Sequence, residues 1–118
     1  MRLTLPWPAP CLFPNAKRRY HWRVYSGPAK AAKAAAYWLA KEAGVKVWRS
    51  DDRPRLTVTF APPNRIRRDH DGCIGASKHF LDGLAMAMDV DDSRFLVSYD
   101  PEFAEPVKGG AVIVEVQP

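Results

Sequence analysis

Cysteine is scarce in this chain, long apolar runs are missing, and acidic residues are almost absent from its first half. Only Cys11 and Cys73 occur, far apart and outside any CxxC or Cys/His spacing. That argues against a structural zinc site and a disulfide framework, and leaves two free thiols in a reducing cytoplasm as the expectation. No stretch is apolar enough to span a membrane, and residues 1–10 lack the apolar run of a signal peptide. No repeat, low-complexity tract or linker is visible, so one cytoplasmic domain over 1–118 with no membrane association is expected.

What is present is ordinary in bulk and uneven in charge. Hydrophobic residues make up 47% and charged residues 26% of 118 positions, enough for one core. The net charge of +5 conceals an asymmetry: residues 1–68 hold 15 Lys/Arg against 3 Asp/Glu, whereas 69–92 hold Lys78 against six aspartates. A basic body with one concentrated acidic spot suits a polyanionic partner and a local cation site.

Patterning places the elements. "RLTLPWP" (2–8) reads as a first strand ending near Pro6, and Ala9 to Gly27, broken by prolines, as an irregular loop. Pro28 suits the first position of a helix that stops at Gly44, with Lys30, Lys33, Tyr37 and Lys41 on one face and Ala32, Ala35, Ala36, Leu39 and Ala43 opposite. "RLTVTFA" (55–61) alternates as a strand facing inward with Leu56, Val58 and Phe60. A second helix is expected from Asp71 to Met88, buried through Ile74, Leu81, Leu84, Ala85 and Met88, then strands at 94–100 and 110–116 around a "VKGG" turn. The expected fold is α+β: a mixed four-stranded sheet with two packed helices, in the order β-α-β-α-β-β.

The chemistry concentrates in "NRIRRDHDG" (64–72). In extended backbone, alternation would turn Asp69 and Asp71 one way and His70 the other, whereas in a helix the two carboxylates would stand about 200° apart. Asp71 as the helix N-cap is compatible with the extended arrangement. Converging carboxylates repel unless a proton or cation lies between them, and hard oxygen donors favour magnesium or manganese. "DVDD" (89–92) offers Asp91 or Asp92 as a third carboxylate. Lys78, seven residues after Asp71, would lie on nearly the same helical face about 10 Å along the axis, where it could neutralise charge on a phosphate, as would the helix N-terminus. Arg65, Arg67 and Arg68 add phosphate-binding capacity beside them. The residues alone point to a metal-dependent phosphodiesterase; a mixed-charge surface loop is the bland alternative.

"LPWPAP", "NAKRRYHWR", "RRDHDGCIGASKHFLDGLAMAMDVDD" and "VKGG" occur in an order that resembles the RusA family, small Holliday junction resolvases common in phages and prophages. The resemblance runs over nearly the whole chain. It implies a homodimeric, magnesium-dependent endonuclease, with manganese as a substitute, that nicks opposed strands of a four-way DNA junction in the host cytoplasm. The two aspartates of the family motif fall on Asp69 and Asp71 and its lysine on Lys78; the later aspartate falls on Asp92, with Asp91 next. These are the expected catalytic residues, and the aspartates are the expected metal ligands. Two features depart from the pattern: the gap from DxD to the lysine is longer than in the best-known bacterial member, and Gly72 replaces the usual Asn.

Asn15, Lys17, Arg18, Arg19, His21 and Arg23, interleaved with Tyr20 and Trp22, read as a DNA-contacting loop, joined by Arg65, Arg67 and Arg68. His70 reads as structural or supporting, and Trp7, Trp38 and Trp48 as core or dimer-interface residues. Two alternatives stand beside the nuclease: a catalytically silent branched-DNA-binding protein, and a small basic structural or assembly protein.

Overall fold

The computed structural model describes residues 1–48 and 53–117. Strands β1 (Arg2–Pro6), β2 (Arg55–Ala61), β3 (Leu96–Tyr99) and β4 (Ala111–Gln117) form one mixed sheet ordered β1-β4-β2-β3. The alternation read in the sequence is what drives it: Leu56, Val58 and Phe60 of β2 and Val112, Val114 and Val116 of β4 are buried on one face. Strand β4 pairs antiparallel with both β1 and β2, so that Val112 lies between Leu5 and Phe60 in register. Strand β3 runs parallel to β2, with Val58 opposite Tyr99.

That parallel pair determines where a site can form. Parallel neighbours require a crossover connection, supplied here by α3 (His70–Ala76) and α4 (Lys78–Met88). Residues 62–69 leave the carboxyl end of β2, and Asp100 leaves the carboxyl end of β3. Both exits lie at the same end of the sheet, where ligand sites in such sheets commonly form.

The helices differ from expectation in three places. The segment expected to be an irregular loop contains a 3-10 turn at Pro10–Leu12 and a short α1 (Pro14–Lys17), and α2 (Trp22–Glu42) starts six residues before Pro28. His21 caps α2, its Nδ1 accepting the Arg23 backbone N–H at 3.2 Å. Pro28 withholds only its own N–H from the helix, and the residue one turn earlier, Val24, is exposed, where water can serve a released carbonyl. The buried stripe of α2 is Ala32, Ala36 and Ala40, a strict spacing of four, while Ala43 is exposed. The helix expected from Asp71 to Met88 starts at His70 and divides at Ser77, a buried residue whose Oγ donates to the Ile74 carbonyl at 2.9 Å.

Small residues allow α2 and α4 to approach closely. A Cβ added at Gly83 would lie 2.2 Å from the Lys33 carbonyl oxygen and 3.0 Å from the Ala36 Cβ. The "VKGG" turn has a similar constraint: Gly109 and Gly110 adopt φ of 79° and 75°, and a Cβ on Gly110 would approach that of Trp7 at 2.8 Å. One hydrophobic cluster joins all four strands to α2, α3 and α4. Trp7 and Trp48 pack against it, whereas Trp38 is 66% exposed. Both cysteines are free thiols, and burial pushes the Cys73 thiol above its ordinary pKa. Among the described residues no helix is long and apolar enough to cross a membrane.

Candidate functional site

The N-cap of α3 is Asp69, not Asp71. Asp69 has extended backbone (φ −82°, ψ 120°), and its Oδ1 accepts the Asp71 N–H at 3.2 Å. Asp71 therefore belongs to the first helical turn, and the expected alternation through 69–71 does not occur. Both aspartates nevertheless line one cleft of about 420 Å³, together with Phe13, Pro14, Asn15, Arg18, Arg68 and Gly72. The convergence arises from a cap and its first turn rather than from a strand. Gly72 has room beside it: a Cβ there would meet Asp69 and Phe13 at ordinary contact distances of 3.7 and 3.8 Å.

His70 turns the other way, into the protein. Its Nε2 lies 2.7 Å from the Asp100 carbonyl oxygen, and its ring packs edge-on against Phe60 and Phe103. The reading of His70 as a structural neighbour of the carboxylates agrees with this placement.

The three arginines are engaged in three different ways. Arg68 donates from Nη1 to the Asn64 and Ile66 carbonyls at 3.0 and 2.8 Å, and from Nη2 to the Asn64 Oδ1 at 2.7 Å. Its guanidinium also lies over the Trp7 ring, 5.7 Å from the centroid. A guanidinium has five N–H donors, so these three contacts, which organise the loop, leave others of Arg68 unused, and the residue lines the cleft. Arg65 forms an exposed ion pair with Glu105. Arg67 is exposed and makes no hydrogen bond or ion pair among the described residues. All three line a second cleft of about 290 Å³ with Ile66, Phe103 and Glu105, and Arg68 belongs to both clefts.

No family model matches the sequence. An uncharacterized protein of Xylella fastidiosa (strain Temecula1 / ATCC 700964) is 36% identical over 119 aligned positions, covering 97% of this chain and 74% of the relative. The chain belongs to the family of that Xylella protein. Because that relative is itself uncharacterized, a functional reading rests on the residues of this chain.

The other sequence candidates are distributed around these clefts. Asn15 and Arg18 line the carboxylate cleft from α1 and its C-cap. Lys17 instead meets the His79 Nε2 at 3.1 Å and lies over the Tyr25 ring. Arg19 is exposed after α1; His21 is the α2 cap; Arg23 is exposed with its guanidinium over Trp22. Lys78 is exposed at the first position of α4 and does not line the carboxylate cleft. The axial offset expected from Asp71 assumed one continuous helix, and the division at Ser77 removes that basis.

Asp91 and Asp92 belong to another acidic group. Asp91 Oδ1 accepts the Ser93 N–H at 2.9 Å, which holds its pKa below the ordinary carboxylate value. The neighbouring Asp82 carboxyl above all, then desolvation and the Asp91 carboxyl, push the Asp92 pKa up. Neither lines the cleft of Asp69 and Asp71, and among the described residues no group of three or more His, Cys, Asp or Glu is arranged to hold a metal ion. The expectation that a turn after the helix returns this pair to Asp69 is therefore not met among the described residues. Phe13, Pro14, Phe103 and Glu105 are not identified by sequence reasoning, because each reaches its group through contacts remote in the chain; Asp82 meets Asp92 across the end of α4, which no motif marks.

Proposed function

We propose that this chain is a metal-dependent, structure-selective DNA endonuclease that resolves branched DNA, four-way junctions in particular, by paired nicks. The observation that carries the reading is the shared cleft of Asp69 and Asp71 beside Arg18 and Arg68. The RusA resemblance of the sequence supplies the reaction class, the homodimer, and a phage or prophage protein acting in the host cytoplasm.

The donor set suits magnesium. That ion is commonly held by one or two carboxylates, with water and substrate phosphate completing its shell, and Asp69 and Asp71 provide two carboxylates facing a solvent-accessible cleft. Bound there, it would supply Lewis-acid activation at a phosphodiester. The chain's own groups do the rest. Arg18 and the remaining donors of Arg68 hold the backbone phosphate by charge-assisted hydrogen bonds, and Arg67 and Arg65 extend that positive surface away from the carboxylates. Asn15 offers an uncharged amide on the same wall. Lys78 and Asp92 enter this reading through the resemblance, Lys78 to neutralise developing charge and Asp92 as a further carboxylate.

A second reading has a specific observation in its favour. Asp91 and Asp92 do not line the cleft of Asp69 and Asp71, which suits a protein that binds branched DNA without cutting it. The deciding experiment is nicking of a labelled four-way junction against matched linear duplex, with magnesium or chelator, for wild type and Asp71→Asn. Paired metal-dependent nicks lost in the variant support the nuclease. Tight junction binding with no product supports the silent binder.

A further inference from the structure

We infer that His70 is the positioning residue of the Asp69/Asp71 pair, clamping the start of α3 to the carboxyl end of β3. This inference rests on the nuclease reading for its catalytic consequence but not for the clamp itself. A carbonyl oxygen only accepts, so the 2.7 Å contact to the Asp100 carbonyl requires Nε2 to carry the proton and donate. The ring is held from two sides, with centroids 5.5 Å from Phe60 and 5.6 Å from Phe103. Phe60 is fully buried in β2 and stacks on Tyr99 of β3 at 6.2 Å. His70 is thus seated on the two parallel strands at once.

The position in the chain makes this clamp consequential. Asp69 and Asp71 are the residues on either side of His70, and α3 is only seven residues long. So short a helix has little intrinsic stability and takes its orientation from tertiary anchors. The Asp69 cap defines the turn locally, with the Cys73 N–H reaching the Asp69 carbonyl at 3.2 Å. His70 then relates that turn to the sheet. Residues 103–106, which follow Asp100, also form one wall of the arginine cleft. The clamp therefore holds the carboxylates and that cleft in a common frame.

The test compares His70→Leu, which retains apolar bulk without a donor, with His70→Gln, which restores an N–H donor. Three quantities are measured on the full chain: junction binding and nicking, Mn2+ affinity without DNA, and amide exchange at Asp71, Gly72 and Cys73 relative to β4. Expected for His70→Leu are faster exchange at 71–73 with β4 protection retained, weaker Mn2+ binding, and kcat reduced about ten- to a hundredfold by misplacement, while KM and junction affinity change less than about twofold. His70→Gln recovers a substantial part of each. Unchanged exchange at 71–73 in His70→Leu overturns the clamp, as does an equal loss of protection in β4, which would make His70 a general core residue. If wild type cuts no DNA, the nuclease reading fails separately, and the exchange measurement still decides the clamp.

Discussion

The side chain of Asp69 caps the helix that carries Asp71, its Oδ1 accepting the Asp71 amide at 3.2 Å. One candidate ligand thus sets the backbone of the other, and the two roles of Asp69 can be separated by substitution. Asn caps as well as Asp, whereas Ala costs about 1 kcal/mol. Asp69→Asn is expected to leave thermal stability unchanged while abolishing nicking, and Asp69→Ala to abolish nicking and lower stability by about 1 kcal/mol. Chemical denaturation alongside the junction assay checks this. Nicking retained in Asp69→Asn would remove its carboxylate from the site.

Glu105 holds Arg65, one of the arginines proposed to contact DNA, in an ion pair. The pair is highly exposed, at 76% and 82% for the two side chains, so its contribution to stability is at most about 1 kcal/mol. Glu105→Gln should leave the denaturation midpoint nearly unchanged and tighten binding at low salt. Removing one negative charge and releasing Arg65 should steepen the dependence of log K on log salt by about one phosphate contact. A titration series at several ionic strengths reads this directly.

Two glycines in the same crossover should respond oppositely. Gly83→Ala would force a methyl against the Lys33 carbonyl at the α2–α4 crossing, an overpacking expected to cost about 1–3 kcal/mol or more. Gly72→Ala has space in a helical turn and should stabilise by about 0.5–1 kcal/mol. Gly72→Asn, which restores the residue usual in the RusA pattern, should be accommodated without loss of stability. Urea denaturation of the three variants is sufficient.

Acidification should weaken the fold through His79. Burial, reinforced by the charge of Lys17, holds its pKa below the ordinary 6.5. The unfolded chain therefore binds a proton first as pH falls through about 6.5. The stabilising contribution is complete above that value and is lost as pH drops through the folded pKa. His79→Gln should flatten the loss of stability as pH falls below about 6.5; an unaltered profile would assign the acid sensitivity elsewhere.

The periodic parts of the chain are legible from its residues alone. Alternation in "RLTVTFA" and "GAVIVEV", the alanine-rich helix and the Gly-Gly turn point to a mixed sheet with packed helices, since burial of one face at period 2 or 3.6 is a local property of sequence. The convergence of Asp69 and Asp71 is legible too, although spacing suggests an extended segment where the chain uses a helix cap. Local patterns are less decisive where two elements compete for the same residues. Pro28 has the features of a helix start, yet capping by His21 carries α2 back to Trp22.

Composition and spacing by themselves determined that this chain makes one basic α+β fold with paired carboxylates beside arginines, because charge and hydrophobic period are written residue by residue. Tertiary structure alone decided which groups meet: Arg65 with Glu105, Lys17 with His79, His70 with Asp100, and Asp92 with Asp82 rather than with Asp69. Apart from Asp92 and Asp82, those pairs span 30 residues or more, and even that one crosses from α4 to the turn after it. Arg65 meets Glu105 and His70 meets Asp100 because a parallel strand pair brings its two carboxyl ends, and the segments that leave them, to the same end of the sheet.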